Sequence, residues 1–137
     1  MPRRTKNSTR SAKQWEALKQ PSETTSSLTK HVLVIANMNG CEAWRQNNHA
    51  TRGRKFIGMD GLSDVIGICK RTGIFLAFEI KGPGDKLSKA QIKFLDLVNK
   101  SGGIGMEVRN SREFTKIFLE RLREKRSLVS VIKTVTE

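Results

Sequence analysis

The chain has 137 residues, with 26 Lys and Arg against 13 Asp and Glu, for a formal net charge of +13; this length suits one domain with its own core, and this charge favours a polyanionic partner, nucleic acid first. Two cysteines without a CxxC pair (Cys41 and Cys69) and two histidines (His31 and His49) exclude a recognisable zinc module. The opening MPRRTKNSTRSAKQ lacks the apolar centre of a secretion signal, and the longest aliphatic run, residues 32–36, is far too short to span a membrane, so the protein is expected to be soluble and intracellular with reduced thiols.

Residues 1–27 hold six basic residues, Arg3, Arg4, Lys6, Arg10, Lys13 and Lys19, and end in PSETTSS. This reads as a basic arm, in which Trp15 and Leu18 allow a short helix over 11–19. Ser27 is the expected N-cap of a helix running to about Asn39, with Leu28, Val32, Ile35 and Ala36 on one face and Gly40 closing it. Residues 41–47 read as a short strand, and 48–61 as a loop carrying His49, Arg52, Arg54 and Lys55. DVIGICK and IFLAFEIK, joined by Lys70-Arg71-Thr72-Gly73, read as a β-hairpin. After GPGDK, Ser88-Lys89-Ala90-Gln91 matches a capping box and opens a helix that buries Ile92, Leu95 and Val98 and stops at Gly102-Gly103. Residues 104–108 form a further strand, and Ser111 caps a last helix whose apolar stripe is Phe114, Ile117, Phe118 and Leu122. The end, SLVSVIKTV, has β-branched residues in partial alternation and reads as an added strand or a partner-binding segment. The order predicts an α/β domain, a mixed sheet flanked by helices.

The chemistry is expected on the hairpin, because acidic residues inside apolar strands are costly unless their charge is compensated. Asp64 and Glu79 are those residues. With a turn at Arg71-Thr72, cross-strand partners sum to 143 and Asp64 faces Glu79; with a turn at Thr72-Gly73 they sum to 145 and Asp64 faces Lys81. Both sums are odd, so either register puts Asp64, Glu79 and Lys81 on one face. Opposed Cβ atoms lie roughly 4.5–5.5 Å apart, close enough for two carboxylates to share an oxygen-preferring cation such as Mg²⁺. The Ile80 carbonyl is a natural extra ligand. Such a metal polarises a scissile phosphate and acidifies a water, while Lys81 orients that water or offsets charge on the phosphate.

The run FIGMDGLSDVIGICKRTGIFLAFEIKGPGDKLSKAQIKFLDLVNKSGG resembles the VRR-NUC family of the PD-(D/E)xK nuclease superfamily, over roughly residues 44–108. The resemblance is carried by Trp44-Arg45, Gly61-Leu62-Ser63-Asp64, Glu79-Ile80-Lys81, Leu87-Ser88 leading to Gln91, and Gly102-Gly103, in that order and spacing. It implies a restriction-endonuclease-like fold, Mg²⁺ as cofactor with Mn²⁺ able to substitute, Asp64 and Glu79 as its ligands, Lys81 as the catalytic lysine and Gln91 projecting into the site. Short-chain members from bacteria and their viruses are similar to structure-specific endonucleases that act as dimers on branched junctions. The resemblance therefore implies a Holliday junction resolvase-like homodimer in the cytoplasm of a bacterial cell or a phage-infected host. This chain departs from the family pattern in two places. Leu62-Ser63 stand where the superfamily has a proline before the aspartate. The first helix has no acidic residue between Thr24 and Cys41, where a glutamate is usual, so Glu23 or Glu42, and more remotely His31, are the candidates to complete the metal site. Arg45, Arg52, Arg54, Lys55 and Lys86 are expected to contact the DNA backbone beside the site. The organisation is then a basic arm (1–27), a nuclease domain (28–126) and a tail (127–137) that adds a strand or a dimer contact. The alternatives are a nuclease acting on nicks or ends, a non-catalytic DNA-binding module of the same fold, and an RNA-binding protein explained by charge.

Overall fold

A helix begins where a side chain can satisfy its first free N–H groups. In the computed structural model, which describes residues 23–46 and 58–136, helix α1 (Thr25–Met38) begins at Thr24, whose side chain accepts from Ser27 N at 3.0 Å. This is three residues before the expected cap, because Ser27 serves as the donor in the first turn. Leu28, Val32 and Ala36 are the buried face, and Gly40, at φ +77°, closes the helix as expected. The expected helix over 11–19 lies outside the described residues, as do His49, Arg52, Arg54 and Lys55.

Strands β1 (Cys41–Arg45), β2 (Val65–Cys69) and β3 (Phe75–Ile80), helix α2 (Lys89–Lys100), strand β4 (Ile104–Val108) and helix α3 (Ser111–Thr136) follow. The sheet order is β1-β2-β3-β4, antiparallel except for β3 and β4, which are parallel and joined through α2. Val65 faces Phe78, which is the register whose partners sum to 143.

Period-two alternation gives the sheet one face that is apolar except for the exposed Arg45 at the end of β1. Val65, Leu76, Phe78, Ile80, Ile104 and Val108 pack there under α1 and α3. The Phe78 ring stands edge-on to both Phe114 and Phe118, with centroids 5.0 and 5.4 Å away. On the other face α2 lays Phe94, Leu95 and Val98 over Ala77; Phe94 takes the buried place expected for Ile92, which is exposed. Trp44, Ile68 and Phe75 on this second face remain exposed.

Three further expectations are corrected. Cys41 and Cys69, expected as reduced thiols, are cross-strand partners on the core face and form a disulfide. The tail, expected as an added strand or a partner-binding segment, forms no strand and continues α3 to Thr136. No glycine or proline interrupts residues 111–136, so extending an existing helix costs less than starting a strand. The tail hydroxyls of Ser130, Thr134 and Thr136 each donate to a carbonyl four residues back. Helix α3 is capped by Asn110, one residue before the expected Ser111, with Oδ1 accepting from Glu113 N. Among the described residues no helix is long and apolar enough to cross a membrane.

Candidate active site

The site forms where the β2–β3 ladder runs out. Val65 opposite Phe78 is the last strand pair, which sets Asp64 opposite Glu79. The next N–H on the β2 side of β3 belongs to Ile80, and it is met by a side chain: Asp64 Oδ2 accepts from it at 2.9 Å. A residue's N–H and C=O point to the same side of an extended strand, so the Ile80 carbonyl is directed toward the edge that Asp64 occupies.

Glu79 is buried, with only 3 % of its surface exposed. Its Oε1 accepts from Gln91 Nε2 at 2.6 Å and lies 3.5 Å from Lys81 Nζ. Its Oε2 is buried with no hydrogen-bond partner. Burial, then the Asp64 charge, pushes the Glu79 carboxyl up to about 7, against the opposing pull of Lys81. Gln91 reaches Glu79 while closing the expected capping box: Gln91 Oε1 accepts from Ser88 N at 2.8 Å, and Ser88 Oγ accepts from Gln91 N at 3.1 Å. One amide thus fixes the start of α2 and one oxygen of Glu79.

An unpartnered buried carboxylate oxygen beside a second carboxylate is unfavourable until a cation arrives. The donor set, Asp64, Glu79 and the Ile80 carbonyl, is all oxygen and fits a hard divalent cation of the Mg²⁺ type. None of the residues expected to complete the metal site is brought to it; the acid that the register sets opposite Glu79, Glu107 of β4, is paired with Arg109. Glu23 Oε1 accepts from Ser111 N and Oγ at the start of α3, and these bonds hold its carboxyl below the usual carboxylate range. Glu42 faces Ile68, four strand positions from Asp64, or roughly 13 Å at about 3.3 Å per residue. His31 Nε2 pairs with Thr115 Oγ1 at 2.9 Å. Among the described residues no group of three or more His, Cys, Asp or Glu is placed to hold a metal.

Of the expected DNA contacts, Arg45 is exposed at the Asp64 end of β1, where Gln46 N donates to the Asp64 carbonyl at 2.7 Å, and Lys86 is exposed on the loop between β3 and α2. Arg109, which the sequence did not single out, and Gly61, which entered only as part of the family motif, help shape this end. Arg109 donates to the Gly82 and Asp85 carbonyls and pairs with Glu107, tying down the loop that follows Lys81. Gly61, at φ +76°, lies so close to α2 that a Cβ there would sit 2.3 Å from the Ala90 carbonyl carbon and oxygen. The entry to Asp64 is thereby seated on the turn that carries Gln91.

A helix-flanked mixed sheet with an aspartate and an E-x-K triplet facing each other across adjacent strands is the arrangement of a PD-(D/E)xK nuclease domain. Residues 8–113 match the family model for the VRR-NUC domain, and the chain belongs to that family. No curated protein and no solved structure gives a significant match.

Proposed function

We propose that this VRR-NUC nuclease is a Mg²⁺-dependent endonuclease that cuts branched DNA as a homodimer. The observation that carries the metal is Glu79 Oε2, a buried acceptor without a partner beside Asp64. Asp64, Glu79 and the Ile80 carbonyl would hold the ion, and Mn²⁺ would substitute for Mg²⁺. When bound, the ion polarises the scissile phosphate and acidifies a water. Lys81 Nζ, partly exposed and within reach of Glu79, orients that water and offsets charge developing on the phosphate. Gln91 keeps Glu79 Oε1 engaged and leaves Oε2 as the oxygen that would take the ion. Arg45, Arg52, Arg54, Lys55 and Lys86 contact the backbone without reading sequence.

The dimer is supported by α3. Leu128, Val131, Ile132 and Val135 recur at helical spacing and are 58–79 % exposed, a stripe that a second copy of the helix would cover. A two-fold dimer supplies two sites for the two strands of a junction.

The test compares wild type with Glu79→Gln on a labelled four-way junction and on plain duplex, in Mg²⁺, Mn²⁺ and EDTA. Metal-dependent cutting of the junction, lost in the variant while binding persists, is expected. A variant that cuts as well as wild type removes the assigned site. Equal cutting of plain duplex reduces the reading to a nuclease of simpler specificity, and tight binding without cleavage by either protein points to a non-catalytic module.

A further inference from the structure

At the far end of the hairpin from Glu79, the β2–β3 turn, the α1–β1 turn at Asn39 and Gly40 and the C-terminal half of α3 enclose a cleft of about 630 Å³. Lys70 and Arg71 of the turn and Arg126 and Lys133 of α3 line it, with the hydroxyls of Thr72 and Ser130 between them. Among the described residues no acidic side chain lines it, and none of the four cations is ion-paired. Arg126 is anchored in the wall by donating to the Asn39 carbonyl. Like charges converging on one concavity repel each other and focus a positive potential, which a polyanion relieves.

Two features give the cleft a definite design. Arg126, Ser130 and Lys133 recur at i, i+4 and i+7 on one face of α3, whereas Leu128, Val131, Ile132 and Val135 occupy the opposite face. Arg71 holds φ at +70°, a left-handed conformation usually left to glycine or asparagine. A side chain kept in a disfavoured conformation at a turn points to a use for that side chain.

The geometry points to this cleft as a second phosphate-backbone site, which grips duplex DNA at a distance from the cut. The inference rests on the chain's being a DNA nuclease. Six residue steps separate Glu79 from Gly73, about 20 Å at about 3.3 Å each. Phosphates on one DNA strand are spaced about 3.4 Å along the axis, so the grip falls about six base pairs from the scissile phosphate. Arg45 lies at one end of edge strand β1, and Lys70, whose N–H donates to the Gly40 carbonyl, lies at the other. The duplex arm runs along that edge.

The test uses the full chain and compares wild type with the triple variant Lys70→Ala, Arg71→Ala, Lys133→Ala. A control triple, Lys30→Ala, Arg112→Ala, Lys116→Ala, removes the same charge from exposed positions outside the cleft. Binding to duplex is measured in EDTA between about 50 and 200 mM salt, and cleavage on junctions with arms of about four and about twelve base pairs. For the cleft triple, the slope of log affinity against log salt is expected to fall by about 0.9 per lost contact, and affinity at least about tenfold. Cutting of long-armed junctions slows below saturation, and cutting of short-armed ones does not. If the cleft triple and the control triple behave alike, the cleft is not a DNA site. Arg71→Gly guards against misfolding: it is expected to melt no lower than wild type yet bind more weakly, and wild-type affinity would count against the site. The outcomes separate the two readings. Loss of slope in a protein that never cuts sinks the nuclease and keeps the grip; normal cutting with an unchanged slope does the reverse.

Discussion

The two ends of the β2–β3 hairpin carry charge under opposite conditions. At the open end Glu79 is buried, one oxygen lacks a partner, and Asp64 stands beside it. At the closed end Lys70 and Arg71 are exposed, and no described acid neutralises them. Burying a lone charge costs stability, whereas displaying one in solvent costs little and acts mainly through attraction of a partner. The same hairpin therefore places chemistry where a carboxylate is buried and grip where the charges are solvated. Substitutions at the two ends should differ in kind as well as in size.

The largest effect is expected at Lys81. Lys81→Ala should slow single-turnover cleavage about 10²–10³-fold while leaving the salt slope of binding unchanged. A changed slope would blur the division between the ends. Next comes Gln91→Glu, which keeps the capping-box pattern but cannot donate to Glu79 and adds a third carboxylate there. Activity should fall about 10–100-fold, and the melting temperature should fall near neutral pH because a like charge replaces the donor to a buried carboxylate. Gln91→Ala should lose activity and, in addition, about 1 kcal/mol of stability from the broken cap, read by chemical denaturation.

The metal-free protein gives a third contrast. Because the Glu79 carboxyl is raised from 4.5 to about 7, the folded chain binds its proton more tightly than the unfolded chain. The stability this contributes is full below the ordinary value and is lost as pH rises through about 7. Glu79→Gln removes the dependence, so it should be more stable than wild type at about pH 8, by on the order of 2 kcal/mol, and equal to it below about pH 4.5. Denaturant melts in EDTA at the two pH values decide this; the closed-end variants should show no such trend. The smallest effect is Arg71→Gly, which should stabilise by a few tenths of a kcal/mol as relief of the left-handed backbone outweighs the flexibility gained by the unfolded chain.

Much of this was legible because its causes are local. The capping box at Ser88 and Gln91 depends on four consecutive residues, and the odd register sums put Asp64, Glu79 and Lys81 on one face before any turn was chosen. Features that depend on distant segments were not legible. The pairing of Cys41 with Cys69 needs the β1–β2 register, and no tight turn specifies it across residues 46–64. Arg121, within a charged stretch of the sequence, is half-buried and donates to the Gly105 carbonyl and Asn99 Oδ1, stitching α3 to the sheet, contacts that span 16 and 22 residues. The basic cleft joins residues from three stretches of chain that no motif connects. The tail misled for a different reason: β-branched residues suit a strand only if a neighbour offers an edge, and an unbroken helix already ran into them.

The contact at Gly61 bears on how intact and inactive relatives can be told apart. A single added carbon would collide with the backbone of α2, pushing Asp64 and Gln91 apart without altering either residue. A relative could keep every acid, the lysine and the glutamine and still lose the cut through drift at this one position. Inspection of its catalytic side chains would register nothing wrong, because the lesion would lie in the space between them.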